Sequence, residues 1–194
     1  MSAHTSSLAA VQRGVALVSS LLLLIIITIL ALSMFRSFGT QEKIAGNLRE
    51  KDRALHAAAS AQQYGEWWLT QGNNAAIGAV TCAIGTLNAN LGQGQICNQT
   101  PAQAGYTVTQ PGTWAAQIQY LPPTMAVPGV AGPNGDPPYF GAPAFYVTDL
   151  GVAGDAAGEA YQIDAYGYGS TDGTVAVVES TYEVAQGVVN RGGL

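Results

Sequence analysis

The chain has 194 residues, 7 Lys and Arg against 12 Asp and Glu, a net charge of -5 and only 10% charged residues. Such a length holds one ordinary domain besides any segment given to a membrane, and charge so far below the roughly 25% of soluble domains leaves a surface of uncharged polar groups. Arg13, Arg36, Lys43, Arg49, Lys51 and Arg53 all precede residue 54, while nine carboxylates and no Lys or Arg lie between Leu55 and Asn190, which argues against phosphate-backbone binding by the later part unless the basic collar does the work.

Met1 to Gly14 is short and polar, and it ends in Gln12-Arg13-Gly14. Val15 to Phe35 then runs for 21 residues without a charge, which as a helix spans about 31 Å, the thickness of a bilayer core. Ala31-Leu32-Ser33 resembles a signal-peptide cleavage site, but the apolar run exceeds the usual length of about 7 to 15 residues, which favours a retained anchor. Counting the Lys and Arg that lie near the span, five after it against one before it, argues for a cytoplasmic head. Two cysteines that suit an oxidising compartment, and the capacity of large domains to translocate regardless of flanking charge, argue for the opposite topology, which we adopt.

Gln41 to about Leu69 has helical periodicity, with Ile44, Leu48, Leu55, Ala59 and Gln62 or Gln63 on one face. Arg49-Glu50-Lys51-Asp52-Arg53 alternates in sign, which reads either as a solvated collar or as a charge contact with neighbouring subunits. No proline precedes Pro101, so one helix from Val15 to about Leu69, about 80 Å long, is expected. Gly39 and Gly46 merely loosen it.

Gly72-Asn73-Asn74 reads as a helix stop. Residues 72–112 look like loop with short elements. Cys82 and Cys97, the only cysteines, fit one disulfide better than a metal site short of ligands, with two buried free thiols as the alternative. Ala115 to Leu121 alternates like a strand with Ala116, Ile118 and Tyr120 on one side. Pro122 to Pro143 holds seven prolines and four glycines and reads as a long surface loop, either a binding element or a connector. Ala144–Leu150 is a candidate strand, and Tyr161–Tyr168, a turn over Gly169–Gly173, and Thr174–Val184 form a hairpin. The expected fold class is α+β: a long N-terminal helix, its first part transmembrane, packed on a small antiparallel sheet built as a meander of three or four strands.

These residues together resemble type IV pilins, and among them the PilX-type minor pilins. The likeness rests on Gln12-Arg13-Gly14 before the uncharged span, on Lys43-Ile44-Ala45-Gly46-Asn47 with Arg49 beyond, on Ala57 to Ala61, and on the hairpin strands Tyr161–Gly169 and Val175–Tyr182. The resemblance implies a leader over residues 1–14, cut after Gly14 by a prepilin peptidase that methylates Val15. It further implies an N-terminal pilin helix over 15–70, transmembrane over 15–35, and an extracytoplasmic α+β head over 71–194. Two positions depart from the family pattern: Val15 stands where Phe or Met is usual, and Ser19 stands at the fifth mature position where Glu is usual. That Glu is thought to pair with the amino terminus of a neighbouring subunit. Ser19 cannot neutralise an ammonium in apolar surroundings, which suits a first subunit with no predecessor. The bland alternative is a tolerated helix serine.

The implied function is a minor pilin that helps initiate type IV pilus assembly in a priming complex at the tip. Implied partners are other minor pilins, the major pilin, the inner membrane, the prepilin peptidase and a tip adhesin. Competing readings are a type II secretion pseudopilin, and a tethered periplasmic binding or adhesive module. No enzyme is expected: His4 goes with the leader, His56 lies on the helix, and the head offers no Lys or further His to activate a nucleophile. No cofactor, metal or nucleic acid is expected either. Asp149, Asp155, Glu159 and Asp164 match no calcium-loop spacing and read as a solvated acidic face. Gly167, Gly169 and Gly173 belong to a hairpin rather than a phosphate loop, and Asn98-Gln99-Thr100 is a sequon of the common kind.

Overall fold

With no proline before Pro101, nothing in the first part of the chain interrupts helical hydrogen bonding. A computed structural model accordingly places α1 over Leu8–Leu69, through both Gly39 and Gly46. The structure describes residues 8–82, 94–130, 132, 138–154 and 158–185, with side chains from Gly14 onward. It separates into two compact units, Met1–Leu48 and Arg49–Leu194. The last third of α1 is therefore integral to the head. The helix closes where Thr70 and Gln71 donate their N–H groups to the carbonyls of Trp67 and Trp68, three residues back. Gly72 follows with φ of +55°, and Asn74 Nδ2 is a second donor to the Trp68 carbonyl at 2.8 Å. This is the stop expected at Gly72-Asn73-Asn74, with the asparagine amide acting as the cap.

The head is a mixed, mostly antiparallel sheet of five strands: β1 (Ile96–Cys97), β2 (Ile118–Gln119), β3 (Ala144–Val152), β4 (Gly158–Tyr168) and β5 (Val175–Ala185). β3, β4 and β5 form the expected antiparallel run, and β2 pairs antiparallel with the start of β3. β1, by contrast, lies parallel to β3, with Ile96 beside Val147. The simple meander is thus corrected: two residues beside a cysteine are too short for periodicity to reveal. β3 outruns its expected end because Leu150 forms a bulge, with Gly151 at φ +85°.

Two cores occupy opposite faces of this sheet. On the helix side Phe145, Val147, Tyr161, Ile163 and Ala165 pack with Ala61 and Leu69. On the other side Ala144, Tyr146 and Tyr166 pack with Tyr106, Trp114, Ala116 and the two cysteines. The second face is roofed by chain from the 98–143 region, so β4 is buried on both sides over most of its length. The expected strand Ala115–Leu121 shrinks to β2. Ala116 joins the far core while Ile118 and Tyr120 join the helix-side core, so the three do not share one side. A tight turn closed by Trp114 N–H to the Pro111 carbonyl, and the prolines at 122 and 123, leave little room for a longer ladder.

The helix meets the head by a different face from the one its large apolar residues mark. Ile44, Leu48 and Leu55 are exposed, whereas Ala54, Ala57, Ala58, Ala61 and Leu69 are buried. The sheet approaches α1 so closely that only small residues fit along most of the contact.

Candidate assembly surface

From Val15 to Phe38 every large apolar side chain is exposed. An 18-residue window of α1 reaches a mean hydropathy of 3.0 with none of it buried, making this helix long and apolar enough to cross a membrane. Three of its hydroxyls are accommodated without a partner chain. Ser19 Oγ donates to the Ala16 carbonyl at 3.0 Å, Ser20 Oγ to Leu17 at 2.9 Å and Thr28 Oγ1 to Ile25 at 2.8 Å. Each donor is satisfied by its own helix, as a segment in hydrocarbon requires. Gly14 and Val15 lie within α1, both exposed, and Ser19 one turn further on presents a neutral surface.

Where α1 enters the head, the charge collar works inside the chain. Glu50 Oε2 accepts the Ser170 N–H at 2.8 Å in the β4–β5 turn, and Lys51 Nζ donates to the Val175 carbonyl at 2.9 Å. Arg53 Nη1 pairs with Glu50 Oε1 at 3.1 Å, and its guanidinium lies 4.4 Å from the centre of the Tyr139 ring. The hydrogen bonds from Ser170, aided by Arg53, hold the Glu50 carboxyl below the ordinary range. Neither earlier reading of the collar covers these three residues, which clamp the helix to the hairpin turn. Asp52 and His56 do stay outside, 3.6 Å apart and exposed.

The same clamp organises part of the proline-rich loop. Val127 and Val130 exchange backbone hydrogen bonds of 3.0 and 2.8 Å around Gly129, and Tyr139 N–H donates to the Ala126 carbonyl. Met125 and Val127 pack on Ala57 with Tyr139 beside them. The described part of this loop is thus a strap against α1, and residues 131 and 133–137 lie outside the described residues.

Cys82 and Cys97 are joined as a disulfide, both fully buried. Tyr106 Oη donates to the Cys82 carbonyl at 3.0 Å, while Tyr146 Oη and Thr148 Oγ1 both donate to the Gln99 carbonyl. The two bonds to Gln99 hold the end of β1 against β3. Tyr166 Oη donates to Gln117 Oε1 on the same face, and burial pushes the Tyr146 and Tyr166 phenols up in pKa.

The four acidic residues weighed for calcium are not brought together. Asp149 Oδ1 accepts the Gly151 N–H at 2.7 Å and Glu159 Oε2 accepts the Tyr161 hydroxyl at 2.8 Å; both line a cleft of about 390 Å³. Asp164 sits on the opposite face, and Asp155 lies outside the described residues. Asp164 also corrects the solvated reading, since only 6% of it is exposed. Burial first, then the neighbouring Glu179, pushes its carboxyl up to about 6 against the opposing hydrogen bond from Gln162. Asn98 of the sequon is exposed at the end of β1.

A long N-terminal apolar helix whose later part lies on a mixed, mostly antiparallel sheet is the pilin-like α+β arrangement. Residues 13–62, about a quarter of the chain, match the family model PilX N-terminal. The first part of the chain is thus similar to the PilX N-terminal domain, which is consistent with a PilX-type minor pilin of type IV pili. No curated protein and no solved structure matches the chain.

Proposed function

We propose that this protein is a minor pilin that primes type IV pilus assembly. A prepilin peptidase removes residues 1–14 after Gly14 and methylates Val15. The chain then sits in the inner membrane by residues 15–35, within a pilin helix ending near residue 70, with its head from 71 onward outside the cytoplasm. It acts by helix packing and head contacts with the major pilin and other minor pilins, and with a tip adhesin, before passing into the pilus.

The observation that carries the priming role is Ser19. Its hydroxyl bonds back to Ala16 and offers no negative charge to the amino terminus of an earlier subunit. A buried, unpaired ammonium costs several kcal/mol, so repeated addition onto earlier subunits is disfavoured while service as a first subunit is not. The exposed Ile44, Leu48 and Leu55 supply apolar contacts for neighbouring helices. The disulfide supports an oxidising compartment for the head.

Deleting the gene and counting surface filaments tests the role: fewer filaments are expected. Quantitative mass spectrometry of sheared pili should find this subunit far below the abundance of the major pilin, and equal abundance along the shaft overturns priming. The mature amino terminus separates the competing products. Methylated Val15 marks a pilin, Met34 a secreted module and Met1 a plain anchor.

A further inference from the structure

β5 is the last strand of the sheet, and among the described residues no strand pairs with its second edge. The hairpin fixes which backbone groups face that edge. Gly169 donates its N–H to the Thr174 carbonyl at 2.7 Å, and the register then runs unbroken from Tyr168 beside Val175 to Gly158 beside Ala185. Bonded and non-bonded pairs alternate along an antiparallel ladder. Val175, Val177, Glu179 and Thr181 therefore turn their N–H and C=O groups away from β4. The contact of Lys51 with the Val175 carbonyl, made from outside the ladder, agrees with this.

One row of side chains crossing the sheet toward that edge is unbalanced in charge. Tyr146, Asp164 and Glu179 are register partners on the face away from α1. The Asp164 carboxylate receives hydrogen bonds from Gln162 Nε2 at 3.1 and 3.2 Å. Among the described residues no ion pair reaches Asp164 or Glu179, and the chain has no Lys or Arg between residues 55 and 190. Like charges directly opposite each other weaken a sheet.

We propose that the outer edge of β5 accepts an extended strand from another protein, one that places a Lys or Arg beside Glu179. Main-chain hydrogen bonds to Val177, Glu179 and Thr181 hold the added strand, and the basic side chain completes the row begun by Tyr146 and Asp164. The charge selects the occupant. A second copy of β5 would bring another acidic edge against this one, which the same carboxylates oppose. The partner is thus a basic strand of a different chain. This edge is separate from the helix surface used in the priming role, and the test below reads it alone.

The full chain in detergent micelles is titrated with the synthetic peptide acetyl-Thr-Val-Thr-Lys-Val-Thr-Val-amide and with a version carrying Glu in place of Lys. Hydrogen exchange is read at single amides by NMR. With the Lys peptide, exchange should slow about tenfold or more at Val177, Glu179 and Thr181, and change little at Ala176, Val178 and Ser180, which face β4. The Glu peptide should bind about tenfold more weakly, a difference that close charge pairs supply readily. Glu179→Lys should reverse the preference while preserving the thermal melt, because it sets a cation opposite Asp164. Thr181→Pro removes one outward N–H and should weaken both peptides. Equal binding of the two peptides, or no slowing at the three outward amides, overturns the proposal.

Discussion

Ala57 of α1 and Gly167 of β4 meet so closely that a Cβ built on Gly167 would lie 2.5 Å from the Ala57 Cβ and 2.5 Å from the Ala58 nitrogen. This contact, with Gly65 against Phe145 and Ile163 further along, sets how near the helix lies to the sheet. Gly167→Ala should therefore force the two apart and cost about 1–3 kcal/mol, the usual range for overpacking. Gly173→Ala, in open space in the turn, should stay within about 0.5 kcal/mol. Urea midpoints followed by tryptophan fluorescence compare the two, and equal midpoints would show that the helix yields to a methyl.

The disulfide should be both stabilising and shielded. It joins cysteines 15 residues apart, for which loop closure in the unfolded chain predicts about 3 kcal/mol. The paired variant Cys82→Ala with Cys97→Ala should lose a comparable amount in urea unfolding. Because both cysteines are fully buried, dithiothreitol should leave them unreactive toward an alkylating agent in the folded protein and expose them once urea is added, read as a mass shift.

The elements with a strong period were legible in the sequence: α1, its stop at Gly72, and the β3–β4–β5 run all lie close to where alternation and helical spacing put them. What escaped was whatever depends on distance between elements. The alanine stripe 54, 57, 58, 61 carries little hydrophobicity, so Ile44, Leu48 and Leu55 outweighed it, although Gly65 and Gly167 are the residues that let the helix approach. β1 is two residues long and owes its place to a disulfide, and Asp164 looks like any surface carboxylate until chain from residues 98–143 folds over its face. For the candidate assembly surface, the uncharged span could be read directly. The Glu50, Lys51 and Arg53 clamp could not, because its targets are backbone groups more than a hundred residues away and the Tyr139 ring.

Glu50 ties α1 to the turn at Ser170, and its pKa is lowered in the folded state from an ordinary value of 4.5. A depressed carboxyl contributes stability above its unfolded pKa and loses that contribution as pH falls through the folded value. The Glu50→Gln variant should thus lose less stability than the parent on acidification below about pH 4.5. The site is close to solvent, so the difference should be below about 1 kcal/mol. Urea midpoints at pH 3 to 7 measure it, and parallel pH curves for the two proteins would show that the Ser170 contact contributes nothing.

Asp164 should act with the opposite sign. Its folded pKa of about 6 lies above the ordinary 3.8, so the folded state holds the proton more tightly than the unfolded chain. Its contribution is most favourable below the ordinary value and is lost as pH rises through the interval from 3.8 to about 6. At roughly 1.4 kcal/mol per pKa unit, the ionised form burdens the fold at neutral pH by on the order of 3 kcal/mol. Asp164→Asn removes that burden and keeps an oxygen for the Gln162 amide to donate to, so it should raise the urea midpoint at pH 7 and leave it nearly unchanged at pH 4. Glu179→Gln, which takes away the directly opposed carboxylate, should move the pH 7 midpoint in the same direction by less, because burial is the larger cause of the shift. A lower midpoint for Asp164→Asn at pH 7 would mean that the carboxylate is held by a favourable partner.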